Sequence, residues 1–83
     1  MNSPFYRVFV GKYEKSTDTK SDVEKLRKFG VTPSVFKHKD GYSILVGSTL
    51  KREFAENTMS ALIKKGFDAF LEEPSRESRG LPQ

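Results

Sequence analysis

The residues of this 83-residue chain best equipped for chemistry lie near its start, where Arg7, Phe9, Lys12 and Tyr13 interleave cationic and aromatic side chains. An aromatic face beside a guanidinium or ammonium suits a ligand built as a ring with polar or negative substituents, either a sugar or a stacked base. Arg7 and Lys12 can each offer a carboxylate a charge-assisted hydrogen bond, and an exposed pair of this kind contributes about 0 to 1 kcal/mol. Nothing comparable points to bond making. The chain has no cysteine and one histidine, His38, set between Lys37 and Lys39. That removes thiol catalysis, disulfides and multi-histidine metal sites. Neither a Ser-His-Asp set, a phosphate loop nor a buried carboxylate pair is visible, so the chain reads as a binding protein without enzyme activity, metal or cofactor. His38 reads as a solvated turn residue and Glu72-Glu73 as a solvated strand end.

The elements that must position these side chains are legible from a repeat. Tyr6-Arg7-Val8-Phe9-Val10-Gly11 returns as Tyr42-Ser43-Ile44-Leu45-Val46-Gly47, an ungapped offset of 36 residues. The same offset carries Val23 onto Met59, Leu26 onto Leu62, Gly30 onto Gly66 and Val31 onto Phe67. Two copies of a strand-helix-strand unit are implied, at about 6–36 and 42–72, each too small to bury its apolar side without the other.

Local signals agree. Residues 5–10 are rich in β-branched and aromatic types and stop at Gly11, which predicts the first strand. A helix over about 19–29 follows from Val23, Leu26 and Phe29, closed by Gly30. Pro33 opens a second strand at 34–37, and Asp40-Gly41 is a hairpin signal leading into a third at 42–46. Ala55, Met59, Leu62 and Ile63 trace the apolar stripe of a second helix ended by Gly66, and residues 67–72 supply the last strand. The predicted fold is α+β, a βαββαβ ferredoxin- or RNP-like four-stranded antiparallel sheet with both helices on one face. Residues 1–73 form this domain, and the polar, aperiodic 74–83 read as a flexible tail.

Side chains alternate across a strand, so Val8, Val10, Ile44 and Val46 belong under the helices. Arg7, Phe9, Ser43 and Leu45 then point to the uncovered face, with Lys12, Tyr13 and Ser48 in the loops beside it. These seven residues are the candidate ligand-binding set. Phe9 and Leu45 are large apolar groups on a face that no helix covers, so a ligand, a partner, Phe36 and Phe70, or the C-terminal tail must shield them. On this reading Phe9→Ala weakens binding with little effect on folding, whereas truncating Val10 or Leu62 unfolds the domain.

Length and charge set the remaining limits. A chain this short holds one small core and no deep catalytic cavity. Fifteen Lys and Arg against eleven Asp and Glu give a net charge of +4, which favours acidic or polar polymers as ligands. Lys20, Lys25, Arg27 and Lys28 read as the solvated face of the first helix. No window is apolar enough to span a membrane, and the start lacks the apolar stretch of a secretory signal.

The segment Tyr6-Arg7-Val8-Phe9-Val10-Gly11-Lys12-Tyr13 resembles the opening Y-x-V-Q-V-G-S-F pattern of SPOR domains. Phe54-Ala55-Glu56 and the stretch from Leu62 to Phe70 (Leu-Ile-Lys-Lys-Gly-Phe-Asp-Ala-Phe) are similar to that family's N-A-E and L-K-K-K-G-F-D-A-F segments. Together the matches span residues 5–72. The resemblance implies the βαββαβ fold and a peptidoglycan-binding module that brings a cell-wall hydrolase, division or sporulation protein to the bacterial wall. It implies glycan strands stripped of their peptide stems as the ligand, held on the open sheet face; for such a ligand the positive charge of Arg7 and Lys12 makes them the candidate partners of the freed lactyl carboxylate. Carried over by position, the family's strand-one Gln falls on Phe9, its Ser on Lys12, its aromatic on Tyr13, and a polar strand-three position on Leu45. Three of these four are departures. Location in the cell envelope then requires export within a larger protein or release by lysis.

Two other readings use the same face. Val8-Phe9-Val10-Gly11-Lys12-Tyr13 also resembles the strand-one motif of RRM nucleic-acid binders, although Leu45 fits their strand-three motif poorly. An apolar open face can alternatively serve as a protein interface, including that of a weak homodimer.

Overall fold

Alternating apolar positions on two neighbouring strands, and one apolar stripe on each of two helices, leave a single way to form a core. The computed structural model, which describes residues 4–74, adopts it. Strand β1 (Tyr6–Tyr13) leads through a 3-10 turn (Ser16–Thr19) into helix α1 (Lys20–Phe29). Strands β2 (Ser34–His38) and β3 (Gly41–Thr49) form a hairpin, and helix α2 (Arg52–Lys64) leads to β4 (Ala69–Glu72). The sheet order is β2-β3-β1-β4 with every neighbouring pair antiparallel. This is the α+β arrangement that the repeat and the turn signals predict.

Val8, Val10, Ile44 and Val46 meet Leu26, Ala55 and Leu62 in the helix-side core. Leu26 and Leu62, which the 36-residue offset pairs, are both fully buried. Each such burial contributes roughly 1.5 to 3 kcal/mol relative to exposure. Ile63, by contrast, is exposed. The sheet lies beneath the Ala55–Leu62 side of α2, and one further helical step of about 100° carries Ile63 away from it. Helix α1 closes as expected: Gly30 takes φ 105, and its N–H is shared between the Leu26 and Arg27 carbonyls.

Strand β1 does not stop at Gly11. The β1–β3 register gains an extra residue on β1 between Val10 and Tyr13, a bulge that Gly11 absorbs with φ 72, and the strand runs on to Tyr13. A second irregularity, between Val8 and Phe9, places the extra residue on β3. Strand β4 begins at Ala69, two residues later than its composition suggests, and Gly11 N–H reaches the Asp68 carbonyl at 2.8 Å just before it.

Candidate ligand-binding face

Register decides which side chains share the face away from the helices. Phe9 pairs with Leu45 on one side and Phe70 on the other, Arg7 pairs with Glu72, and Phe36 pairs with Ser43. All of these point away from the valines of the helix-side core. The face assignment of Arg7, Phe9, Ser43 and Leu45 is therefore the one that alternation predicts.

Of the covers expected for Phe9, the structure supplies Phe36 and Phe70. Phe9 has 0% of its surface exposed. Its ring stacks on Phe70 at 5.5 Å and meets the edges of Phe36 and His38 at 5.2 and 5.1 Å. Because β1 is a central strand, aromatic residues from β2 and β4 close over Phe9 from both sides. The result is a second, smaller core on the face that no helix covers, so Phe9 serves packing and is not free to contact a ligand.

His38 is likewise no solvated turn residue. It ends β2, and its ring lies 5.0 Å from Phe36 as well as against Phe9. Its Nε2 is shielded and has no hydrogen-bond partner among the described residues. Ser43 is also buried, and its Oγ donates to the Gly11 carbonyl at 2.7 Å, satisfying the backbone at the β1 bulge.

Tyr13 sits differently from its expected place in a loop beside the open face, since it ends β1. The bulge at Gly11 shifts the alternation by one residue, which sends Lys12 to the open face and turns Tyr13 toward the helices. Its ring packs on the helix-side core, and its hydroxyl donates to the Asp22 carboxylate on α1. Burial first, then that hydrogen bond and the charges of Asp22 and Asp68, push the Tyr13 phenol above its ordinary range.

The two cations behave differently. Arg7 extends over Phe36, with its guanidinium carbon 5.3 Å from the ring centroid, and its Nη2 meets Glu72 Oε1 at 2.8 Å. Lys12 is exposed, with Nζ 5.6 Å from the centre of the Phe70 ring. Leu45 is partly buried in mid-sheet, and Ser48 is exposed at the far end, opposite Arg7.

Beside the aromatic cluster, a cleft of about 320 Å³ opens between Phe70 and the β2–β3 hairpin. Among the described residues, Lys12 is the only Lys or Arg that lines it, and Asp40 and Glu72 are its acids. Phe70 gives it an apolar wall and Tyr42 and Ser43 line it further. Of the seven residues expected to bind, the structure brings Lys12, Tyr13 and Ser43 to this cleft and leaves Ser48 remote from it. Phe70 and Glu72 were outside that set. The sequence marks Phe70 only as a possible cover for Phe9, whereas Glu72 is revealed only by the β1–β4 register.

No protein-family model and no curated protein matches the sequence. Among solved structures, the chain is similar to the solution structure of the peptidoglycan binding domain of the B. subtilis cell wall lytic enzyme CwlC. The match has a TM-score of 0.74 at 18% identity and covers 87% of this chain and 90% of that one. At this identity the likeness establishes the fold, which is the one implied by the resemblance to SPOR domains.

Proposed function

We propose that this chain is a non-catalytic peptidoglycan-binding module, with glycan strands as its ligand and the open sheet face as its binding surface. The observation that carries the reading is the cleft in which Lys12 stands over the Phe70 ring beside polar groups of the hairpin. A sugar ring packs its apolar side on an aromatic wall and turns its hydroxyl and acidic groups to polar neighbours, and the cleft offers both. The similarity to a peptidoglycan binding domain supports the same ligand class.

Binding depends on Lys12, Phe70 and the hairpin rather than on the strand-one centre, where Phe9 fills the position of the SPOR glutamine. Glycan stripped of peptide stems is the form best suited to this site, because the lactyl carboxylate freed by stripping is a partner for Lys12. The module then serves to localise a wall hydrolase, division or sporulation protein. Co-sedimentation with purified sacculi, before and after amidase removal of the stems, tests the reading. Capture that rises with amidase treatment supports it, and absence of capture from both preparations overturns it.

A further inference from the structure

The open face carries the furniture of a nucleic-acid binder as well as that of a sugar binder, since it combines exposed cations with aromatic rings on an antiparallel sheet. Its positive field is small among the described residues. Arg7 is drawn out over Phe36 and Phe9, at 5.3 and 6.0 Å, but its charge is held by Glu72 at 2.8 Å. The neighbouring cleft sets one lysine, Lys12, against two carboxylates, Asp40 and Glu72. A chain with a net charge of +4 has thus gathered acid onto the very surface where a polyanion would dock. Affinity for a nucleic-acid strand grows with each phosphate that a protein cation neutralises. A saccharide bearing at most one carboxylate per repeat needs no such row of cations.

We propose that Glu72 is a specificity-determining residue that holds Arg7 in an internal ion pair, so that the sheet face admits a saccharide and turns away polyanionic strands. The proposal rests on the peptidoglycan reading for the ligand that is admitted. Its exclusion half stands on the Arg7–Glu72 geometry alone. Glu72 lies on β4, an edge strand, and its side chain is 41% exposed, so Glu72→Gln leaves the core untouched while releasing Arg7 toward the ligand side.

The test measures binding of the full chain to a labelled oligouridylate from about 50 to about 200 mM salt, where each phosphate contact adds about −0.7 to the slope of log affinity against log salt. Capture on amidase-treated sacculi is followed in parallel. The wild-type protein should show a slope near zero. Glu72→Gln should bind the oligonucleotide more tightly, with a slope steeper by about 0.7 for each phosphate that Arg7 engages. The double variant Arg7→Gln/Glu72→Gln should return to the wild-type slope.

A folded Glu72→Gln protein that gains no oligouridylate binding overturns the proposal. So does a gain that survives removal of Arg7, or a wild-type protein that already binds with a steep slope. Failure of the wild type to bind sacculi overturns the peptidoglycan reading and the saccharide half of the proposal. The oligouridylate series still reads out the exclusion half, which keeps the two failures distinct.

Discussion

The ring of Tyr13 folds back over Gly11, so close that a Cβ built on Gly11 would stand 2.6 Å from Tyr13 Cε2. This approach and the φ of 72 at Gly11 have one cause, the β1 bulge that sends Lys12 to the open face and Tyr13 to Asp22. Gly11 is therefore the hinge between the binding face and the helix layer.

Gly11→Ala should destabilise the domain by about 1 to 3 kcal/mol, from left-handed backbone strain together with displacement of the Tyr13 ring. Urea unfolding monitored by circular dichroism measures it. Unchanged stability would show that Tyr13 can swing away from Gly11 at no cost.

Tyr13 also predicts a pH dependence. Its folded phenol titrates above the ordinary value of 10.0. The stability gained from the Asp22 bond is therefore fully present below about pH 10 and is lost as pH rises through the higher folded value. Thermal unfolding between about pH 8 and about pH 11 should show a steeper loss of stability for wild type than for Tyr13→Phe. At neutral pH that variant should be less stable by on the order of 1 kcal/mol, because the hydrogen bond to a carboxylate is gone. Parallel pH curves for the two proteins would show that the bond carries no weight.

Phe9→Ala should unfold the domain rather than merely weaken binding. Complete burial between Phe36, His38 and Phe70 puts the cost at about 3 to 5 kcal/mol, comparable to that of truncating a fully buried core residue such as Leu62. Phe9→Leu, which keeps most of the volume, should cost less than the alanine variant. Denaturant midpoints of the three proteins check the order, and a near-native Phe9→Ala would mean that the aromatic cluster opens readily.

Lys12→Ala should leave the unfolding midpoint within error, since the side chain is exposed and makes no hydrogen bond or ion pair among the described residues. Capture on amidase-treated sacculi should fall by up to about fivefold, the equivalent of about 1 kcal/mol for an exposed charge contact. Ser48→Ala, at the far end of the sheet from the cleft, should leave capture unchanged. Equal capture by wild type and Lys12→Ala would move the glycan away from the cleft.

Much of the fold was legible because its signals are local. Alternation fixed Val8, Val10, Ile44 and Val46 as the inner face, the spacing of Val23, Leu26 and Phe29 marked α1, and Gly30 and Asp40-Gly41 marked the turns. The same alternation put Phe9 and Arg7 on the outer face. It could not report what happens above that face, because burial there depends on strands far apart in sequence. Phe9 is covered by Phe36, His38 and Phe70 only once β2 and β4 flank the β3–β1 pair, and Arg7 is neutralised only because the β1–β4 register sets Glu72 opposite it. Tyr13 turned from the open face to the helix layer for a similar reason, since a single extra residue in a strand reverses the side of everything after it. Periodicity is a property of one segment and is written in its residues. Accessibility, charge pairing and the place of a bulge are properties of segments brought together, and the tertiary structure decided them.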